Sequence, residues 1–483
     1  MVAARTEVPL IALGSSGWSE GRSVEVTNPW DGSVTGSLPT MTASDLGQVL
    51  DWGGSRANEI AMWPLADRVA ELRKWAVSLE ENADRIARLE TSEMGKTIRQ
   101  SRPGVRAQAD RIRAMCEEAL VADRATRDVW RTGRGSGVAQ ILTRREPMGL
   151  AVGFLPFNSP VAALVWKTVP ALLMGNPVVI KLSSQAPLAA LTAAHLLMEC
   201  DIPEGAVQVV AGPGTELSQV FATHPAVRKI SFTGGSEAGT ILWRSAAETM
   251  PRLTLECGSN DPALILDDAD LDLAARTVVN YGIRFYNGQL CTAPKRCLVA
   301  ASIYDEFVER VRTEAGNVVA GDPLEEATEL GPLVSVQAAE EIRREVQRGL
   351  DAGAHAVHGG EILTGALFAS TVLRDVDVDN PLFREGPFGP VLSVIPFTND
   401  TDAVRLANNS PYGLRAAIFS GDEERALSIA YGVDYGAVSI NGPATVGEPT
   451  ISVDPRKLSG IGTEGIETSL GEFSQIKLIW HAE

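Results

Sequence analysis

Cys291 is the residue whose type and surroundings best fit a nucleophile. It lies in "NGQLCTAPKR" (287–296), with Gly288 and Gln289 before it and Thr292 after it. A reactive thiolate needs its pKa lowered from about 8.5 by dipoles or cations. Free cysteine is also among the most buried residue types. This stretch alone leaves a catalytic thiol and a packed core thiol both open.

Two side chains far away in sequence have chemistry that suits such a thiol. Glu256 ends the β-rich run "RLTLECG", and Asn158 follows the run "LAVGFLPF". A carboxylate can act as a general base, and an amide held stiffly between two prolines can donate to an oxyanion. Asparagine after a strand is more often a turn former, so the pattern leaves both roles open.

The segment that carries Asn158 and Glu256 alternates short β-rich runs with helical stretches such as "PLAALTAAHLLMEC". This alternation predicts a parallel sheet with crossover helices. The predicted strands are 150–157, 177–183, 207–212, 229–234 and 252–258. Polar and glycine residues follow their ends: Asn158, Lys181, Ser183, Ser184, Gly212, Gly214, Thr233, Gly234, Gly235 and Glu256. Because ligands bind outside the carboxyl ends of parallel strands, this edge is predicted to hold a nucleotide-like ligand. For Lys181, an extended surface side chain is the alternative.

A second α/β lobe is predicted after Cys291 from β-rich runs at 296–302, 355–360, 389–397, 414–420 and 436–441. Cys291 then lies near the junction of two lobes, a common place for a cleft. Apolar positions from Leu65 step by three and four, which predicts an amphipathic helix. The glycine-rich hairpin at 128–147 has too little apolar surface to stand alone, so it is expected to pack on another lobe or subunit.

Composition limits the class of protein. The 483 residues exceed one core, so two or three lobes are expected. A net charge of -18 disfavours nucleic acid and anionic membrane as partners. Five cysteines without CxxC spacing suit a reducing compartment. The first 21 residues do not fit a signal peptide, and no apolar run is long enough to span a bilayer. We expect a cytoplasmic protein.

Two further motifs suggest a dinucleotide-binding loop and a metal site, but the sequence around them does not support either function. Gly460-x-Gly462-x-x-Gly465 has the spacing of a dinucleotide fingerprint, but it does not follow a strand that opens a βαβ unit. A loop that needs small residues is the better interpretation. His355 and His358 lack further ligands at metal-binding spacing, so no metal is expected.

An ordered series of stretches resembles the NAD(P)-dependent aldehyde dehydrogenase family. The series is "PFNSP" (156–160), "PALLMGNPVVIKLSS" (170–184), "FTGGSEAG" (232–239), "LECG" (255–258), "NGQLCTAPKR", "FGPV" (388–391) and "SGIGTEG" (459–465). The resemblance implies an α/β fold with a Rossmann-type parallel-sheet cofactor domain, a second α/β catalytic domain and a small oligomerisation hairpin. We expect the cofactor domain at 1–127 and 148–257, the catalytic domain at 258–450, and a bridging segment at 128–147 and 451–483.

The resemblance also implies roles for the three chemical groups. Cys291 would attack the aldehyde, Asn158 would hold the oxyanion, and Glu256 would activate the water that hydrolyses the thioester. Lys167 and Glu464 match positions with a supporting role in proton transfer. A CoA-acylating enzyme is one alternative, although that branch generally lacks the glutamate. A catalytically silent member is another.

A cofactor set follows by the same resemblance: Pro156, Phe157, Lys181, Ser183, Ser184, Gly214, Phe232, Thr233, Gly234, Gly235, Glu385 and Phe388. Lys181 would contact the adenosine ribose, and Phe388 the nicotinamide end. Many members have a glutamate where this chain has Ser184. Without that carboxylate a 2′-phosphate is not repelled, so we expect NADP to be accepted as well as NAD.

The chain departs from the family pattern around the pocket. Gly386 replaces a usual glutamate, Ser259 a usual glycine, Tyr286 a usual asparagine, and "SVDP" (452–455) the usual "PFGG". The expected substrate pocket is Ser159, Ala163, Trp166, Leu290 and Thr292. Its small residues suggest room for a bulky or aromatic aldehyde. The hairpin and "FSQIKLIW" (473–480), which could pair with a neighbour's sheet, suggest a homodimer or homotetramer.

Overall fold

The computed structural model describes residues 23–125, 129–130, 138–445 and 452–482. Its first part forms β1 (Ser23–Thr27), β2 (Val34–Pro39), α1 (Ala43–Ser55), α2 (Ala57–Met62), α3 (Leu65–Glu81), α4 (Ala83–Met94), α5 (Ile98–Ala125), β3 (Val129–Trp130) and β4 (Val138–Pro147). Helix α1 begins at a capping box between Thr42 and Asp45, which satisfies free N–H groups of the first turn. Helix α3 buries Val69, Leu72 and Trp75, so the amphipathic helix predicted from Leu65 is confirmed.

The first sheet has the parallel topology that the sequence predicts. Its elements are β5 (Leu150–Phe154), α6 (Pro160–Leu173), β6 (Val178–Lys181), α7 (Leu188–Met198), β7 (Val207–Val210), α8 (Gly214–Thr223), β8 (Val227–Thr233), α9 (Ser236–Ser245) and β9 (Arg252–Glu256). The strands pair in parallel in the order β9-β8-β5-β6-β7. Their carboxyl ends therefore share one edge.

The second sheet belongs to the second predicted lobe. Its region comprises β10 (Asp261–Ile265), α10 (Leu271–Val279), β11 (Pro294–Ala300), α11 (Tyr304–Gly316), α12 (Val336–Asp351), β12 (His355–His358), β13 (Ile362–Thr364), β14 (Leu367–Phe368), β15 (Thr371–Arg374), α13 (Pro381–Arg384), β16 (Val391–Phe397), α14 (Asp400–Asn408), β17 (Tyr412–Gly413), β18 (Arg415–Phe419), α15 (Glu423–Gly432) and β19 (Ala437–Ile440). Seven strands pair in the order β12-β15-β16-β11-β10-β18-β19. The second α/β lobe is confirmed, and β10 and β15 are strands that the sequence pattern missed.

The C-terminal segment joins the other parts of the chain. It forms β20 (Arg456–Lys457), β21 (Gly460–Ile461), α16 (Ile466–Glu472) and β22 (Ser474–Ala482). Strand β22 pairs antiparallel with β4 of the same chain, from Ser474 opposite Pro147 onward. Because β22 is the outer strand of the sheet β22-β4-β3, only one of its edges pairs with β4, and the expectation that this stretch could pair with a neighbour's sheet stays a prediction. The tip of the hairpin, 131–137, lies outside the described residues.

The glycines at 460–465 hold a close backbone approach. Gly460 lies opposite Glu256 in the pairing of β21 with β9, and a Cβ on Gly460 would lie 1.8 Å from the carbonyl oxygen of Leu255. Only glycine fits so close to a neighbouring strand. The prediction that this motif needs small residues is confirmed at Gly460, although Gly460 and Ile461 form a short strand and not a loop.

Other sequence expectations concern metals and membranes. His358 Nε2 lies 3.0 Å from the Ser370 hydroxyl, so its ring already has a partner in the protein. Within the described ranges, no three histidine, cysteine, aspartate or glutamate side chains form a group that could hold a metal ion. In that same part of the chain, no helix has the length and apolar character needed to cross a bilayer.

The two sheets face each other across the segment that links them. Strand β9 ends at Glu256 and β10 begins at Asp261, so four residues carry the chain from the carboxyl edge of the first sheet to the amino edge of the second. Cys291 lies three residues before β11, at that same amino edge. The fold thus brings Glu256 and Cys291 to opposite sides of one cleft.

Candidate active site

The loop before Cys291 is fixed by its backbone. Tyr286, Asn287 and Gly288 have φ values of 54°, 55° and 70°, a left-handed conformation that is uncommon for residues other than glycine. A Cβ on Gly288 would lie 2.2 Å from the Gly389 carbonyl oxygen, so glycine is required there. Two consecutive residues other than glycine in this conformation, Tyr286 and Asn287, indicate local strain, which the surrounding contacts must hold in place.

Asn287 supplies those contacts. Its Nδ2 donates to the carbonyl oxygens of Gly95 at 2.8 Å and Pro332 at 3.0 Å, and its Oδ1 accepts from Gly331 N at 2.9 Å. The side chain is fully buried. The family's asparagine is displaced by one residue in this chain, and Asn287 anchors the loop from its new position.

Asn158 lies directly against the same loop. Its Nδ2 donates to the carbonyl oxygen of Gln289 at 2.8 Å, and the side chain is buried. Pro160, at the first turn of α6, fixes the backbone that follows it. Among the described residues, no other acceptor bonds this amide nitrogen, which carries a second hydrogen. The amide is therefore held two residues from the thiol with one donor left for a ligand.

Glu256 lies in a buried set of charged groups. Its Oε1 is buried and has no hydrogen-bond partner among the described residues. Lys167, which is fully buried, has its Nζ 3.3 Å from both Glu464 Oε1 and Ser231 Oγ. Burial, and then the nearby Glu464, raise the pKa of Glu256 well above its usual value, while Lys167 opposes them. A carboxyl whose pKa is raised in this way holds its proton at a higher pH than an exposed glutamate does.

Cys291 is a thiol, not a thiolate, in this environment. Burial, followed by the charges of Glu256 and Asp261, raises its pKa to about 11, while Arg415 and Lys295 act in the opposite direction. The sequence led us to look for a lowered pKa, which this site does not have. The nucleophile must therefore lose its proton to a base when it reacts.

Sequence reasoning missed three charged residues at the amino edge of the second sheet: Asp261, Lys295 and Arg415. Asp261 is fully buried, and burial raises its pKa to about 8. Burial lowers the pKa of Lys295, and Arg415 Nη1 donates to the Ala444 carbonyl oxygen at 2.8 Å. The residues are up to 154 positions apart, and only the pairing of β10 with β11 and β18 brings them together. No local sequence signal could have found them.

A cavity of about 840 Å³ opens along the carboxyl edge of the first sheet. All twelve predicted cofactor residues line it: Pro156, Phe157, Lys181, Ser183, Ser184, Gly214, Phe232, Thr233, Gly234, Gly235, Glu385 and Phe388. Asn158, Glu256 and Cys291 lie on the same cavity. Its volume is in the range of sites for cofactor-sized molecules.

Lys181 is one of the two lysines that line this cavity. It is 6% exposed, so the alternative of an extended surface lysine is wrong: its strand lies inside the sheet between β5 and β7. Burial lowers its pKa to about 8. Among the described residues it has no ion pair, so its charge is available to an anionic ligand.

Glu385 and Gly386 explain one departure from the family pattern. The carboxylate of Glu385 lines the cavity but binds Arg348 Nη2 at 2.6 Å. Gly386 has φ +67°, and a Cβ there would lie 2.7 Å from Asn260 Oδ1. A glutamate at position 386 would not fit this backbone, so a carboxylate on the nicotinamide side would have to come from a rearranged Glu385.

The five expected substrate residues lie elsewhere. Ser159, Ala163, Trp166, Leu290 and Thr292 are absent from the lining of the cofactor cavity. The Thr292 hydroxyl lies 2.6 Å from that of Thr445, and the Arg111 guanidinium carbon lies 4.7 Å from the centre of the Trp166 ring. These residues flank Asn158 and Cys291 in sequence but do not contribute to this cavity.

The comparison with known families decides the identity of the fold. The profile of the "Aldehyde dehydrogenase family" matches residues 18–479. This chain belongs to that family. It is 33% identical over 458 residues to aspartate-semialdehyde dehydrogenase 1 of Pseudomonas canavaninivorans, covering 94% of this chain and 96% of the relative. It is 29% identical over 459 residues to glutarate-semialdehyde dehydrogenase of Pseudomonas putida, covering 95% and 94%.

A solved structure of the family agrees over the whole fold. The NADP-dependent glyceraldehyde-3-phosphate dehydrogenase from Bacillus halodurans, complexed with NADP, has a TM-score of 0.92 at 32% identity, and the match covers 96% of each chain. The expected aldehyde dehydrogenase fold is confirmed, as is an NAD(P)-dependent enzyme that oxidises an aldehyde to its acid. The names of these relatives give no support to a bulky or aromatic aldehyde.

Proposed function

We propose that Cys291, Asn158 and Glu256 carry out this oxidation by a covalent route that ends in hydrolysis. The Cys291 thiol gives its proton to water, its sulfur attacks the aldehyde carbon, and the oxyanion accepts hydrogen bonds from Asn158 Nδ2 and the Cys291 backbone N–H. A bound nicotinamide supplies the hydride acceptor. The observation that carries the proposal is the 2.8 Å bond from Asn158 to Gln289, which ties the amide to the loop of the thiol.

Glu256 supports hydrolysis over transfer to CoA. Its unpartnered carboxyl oxygen lies on the same cavity as Cys291, and its raised pKa suits a group that takes a proton from water and releases it again. Lys167 and Glu464 are proposed to pass that proton onward, because their side chains are bonded to each other beside Glu256. Formation of an acyl-CoA by the purified protein would contradict this choice.

We propose that NADP is accepted as cofactor. Ser184 is exposed at the cavity, beside Ser183 and close to the buried ammonium of Lys181, and a 2′-phosphate would meet hydroxyls and a positive charge there. The Bacillus halodurans relative, which has the same fold, is an NADP complex. Residues Thr233, Gly234 and Phe388 would line the pyrophosphate and nicotinamide portion of the cavity. Comparable catalytic efficiency with NAD and a much poorer one with NADP would contradict the proposal.

We also propose the domain division that the sequence suggests, with a homo-oligomer built on the bridging segment. The strands of the two large sheets other than β21 fall in 148–257 and 258–450. Strand β22 carries the exposed side chains of Ile476, Leu478 and Trp480 on a three-stranded sheet. Exposed apolar groups in a row favour an interface between subunits. A cytoplasmic location, which the odd number of cysteines favours, completes the proposal.

The test of the chemistry is the Cys291→Ala variant. We expect aldehyde-dependent reduction of NADP to fall at least about a thousandfold, because the covalent step has no substitute, while NADP binding is retained. Cys257→Ala is the matched control, since Cys257 is a buried thiol that lines the same cavity. Equal activity in wild type and Cys291→Ala would contradict the proposal.

A further inference from the structure

Arg111 is a cation near the site that the proposed mechanism does not use. It lies on α5, and burial lowers the pKa of its guanidinium. Its Nη1 donates to the side chain of Gln108. Its Nε is buried and has no hydrogen-bond partner among the described residues. A buried donor without a partner is unfavourable, so Arg111 Nε is available to an acceptor that a ligand brings.

The position of Arg111 connects it with the reacting groups. Its guanidinium carbon lies 4.7 Å from the centre of the Trp166 ring, and Trp166 is the neighbour of Lys167 on the helix that follows Asn158. Tyr286 and Glu464 are its other charged or titratable neighbours, and Tyr286 belongs to the strained loop before Cys291. Arg111 therefore lies where the three segments of the site converge.

Arg111 lies outside the cofactor cavity, next to Trp166, which the family resemblance assigns to the substrate pocket. Neither Arg111 nor Trp166 lines the cofactor cavity, so a bound dinucleotide would not supply the missing acceptor. Glu464, the nearest carboxylate, is 3.3 Å from Lys167 Nζ and makes no hydrogen bond with Arg111 in the described structure. Stacking on an aromatic ring fixes the guanidinium plane and leaves its edge free to bind a carboxylate.

We propose that Arg111 binds the carboxylate of an aldehyde substrate that carries one at its far end, while the aldehyde carbon lies at Cys291. A guanidinium bonds a carboxylate through parallel N–H groups, which gives both affinity and orientation. The substrate class is then a short aliphatic oxo acid. This inference rests on the proposed function, because it assumes that the aldehyde reacts at Cys291.

The test compares aldehydes of equal length with and without a carboxylate. Succinic semialdehyde is paired with butanal, and glutaric semialdehyde with pentanal, in the wild type and in Arg111→Met with NADP. In the variant we expect kcat/KM for the better semialdehyde to fall about tenfold to a hundredfold through a higher KM, the usual range for losing a charge-assisted pair. The alkanals should change less than about twofold, and Arg111→Lys should restore part of the loss.

Arg113→Met is the matched control, because Arg113 lies two residues along the same helix, is exposed, and pairs with Glu80. It should leave the ratio of semialdehyde to alkanal unchanged. An equal loss on both substrates in Arg111→Met would overturn the inference and indicate a structural role. If that variant does not fold, the measurement on the wild type still tests the inference. A kcat/KM that is no higher for either semialdehyde than for the alkanal of equal length would overturn it. Failure of the proposed function would look different, with no Cys291-dependent oxidation of any aldehyde.

Discussion

The two sheet edges that face each other across the cleft contribute different kinds of side chain. The carboxyl edge of the first sheet carries small and neutral groups around the cofactor cavity, with Lys181 and Glu256 as its charged members. The amino edge of the second sheet carries Cys291 among buried charges, Asp261, Lys295 and Arg415. One edge is built to bind a ligand, and the other sets the protonation of the nucleophile.

This difference shows which residues control the pKa of the thiol. Asp261 raises the thiol pKa, whereas Arg415 and Lys295 lower it, and all three come from the amino edge of the second sheet. Glu256, across the cleft, also raises the thiol pKa, and its own pKa is raised well above its usual value by burial. The protonated forms of both groups are therefore favoured in the resting site, and each group must lose its proton before it acts as nucleophile or base.

The largest effect on turnover is expected from Glu256→Gln, which removes the proposed base from the carboxyl edge of the first sheet. The amide keeps the shape of the side chain but cannot take a proton, so hydrolysis of the thioester should slow about a hundredfold or more. Hydride transfer should continue once per site. Rapid mixing should therefore show a burst of NADPH that approaches one equivalent, followed by slow turnover.

Glu464→Gln is the control for that variant. It keeps Glu256 as base and alters only the carboxyl bonded to Lys167, so turnover should fall by less than in Glu256→Gln. Unchanged steady-state turnover in Glu256→Gln would show that Glu256 is not needed for hydrolysis. Loss of the burst as well would place Glu256 in deprotonation of the thiol.

The first edge could be predicted from sequence because each of its residues follows its own strand. Five buried runs alternate with helices, and the rule for the ends of parallel strands then places their polar residues together. The pattern says nothing about side-chain partners, so it could not show that the Asn158 amide donates to the carbonyl oxygen of Gln289. Tertiary contacts decide such orientations.

The second edge could not be predicted in the same way. Strand β10 begins "DP" and is buried along its whole length, so it lacks both the alternation and the purely apolar start that indicate a strand. Without β10, the sequence offers no reason to place Asp261 near Cys291. Likewise, Arg415 reaches the site only because β18 pairs with β10, and pairing between distant strands leaves no local trace.

A smaller effect is expected when a charge is added to the first edge. Ser184→Glu places a carboxylate at an exposed position of the cavity, and repulsion of the 2′-phosphate should raise the KM for NADP about tenfold, moderated by solvent and salt. The KM for NAD should stay the same or fall. Steady-state assays with both cofactors measure the change.

Gln185→Glu is the control, since it adds the same charge one residue further along and is also exposed on the cavity. An equal rise in the KM for NADP in both variants would mean that the added negative charge weakens NADP binding wherever it lies on this loop, and not through contact of residue 184 with the 2′-phosphate. A KM for NADP that does not change in Ser184→Glu would mean that the 2′-phosphate lies elsewhere.

The smallest effect is expected from Arg415→Met, at the amino edge of the second sheet. Arg415→Met removes a cation that lowers the thiol pKa, so the pKa should rise and less thiolate should exist at a fixed pH. At about pH 9, below the thiol pKa, each pKa unit changes the thiolate fraction about tenfold, and a fraction of a unit is expected here. Alkylation of Cys291 by iodoacetamide, followed by mass spectrometry of its peptide without cofactor, should slow about threefold.

Asp261→Asn is expected to change the rate of Cys291 alkylation in the opposite direction. Removing this carboxyl takes away a charge that raises the thiol pKa, so alkylation should become faster, while Arg456→Met, at an exposed arginine paired with Asp434, should change nothing. If Arg415→Met and Asp261→Asn both alkylate at the wild-type rate, the charges of the second edge do not set the reactivity of Cys291. Control of the thiol would then pass to Glu256 and to burial alone.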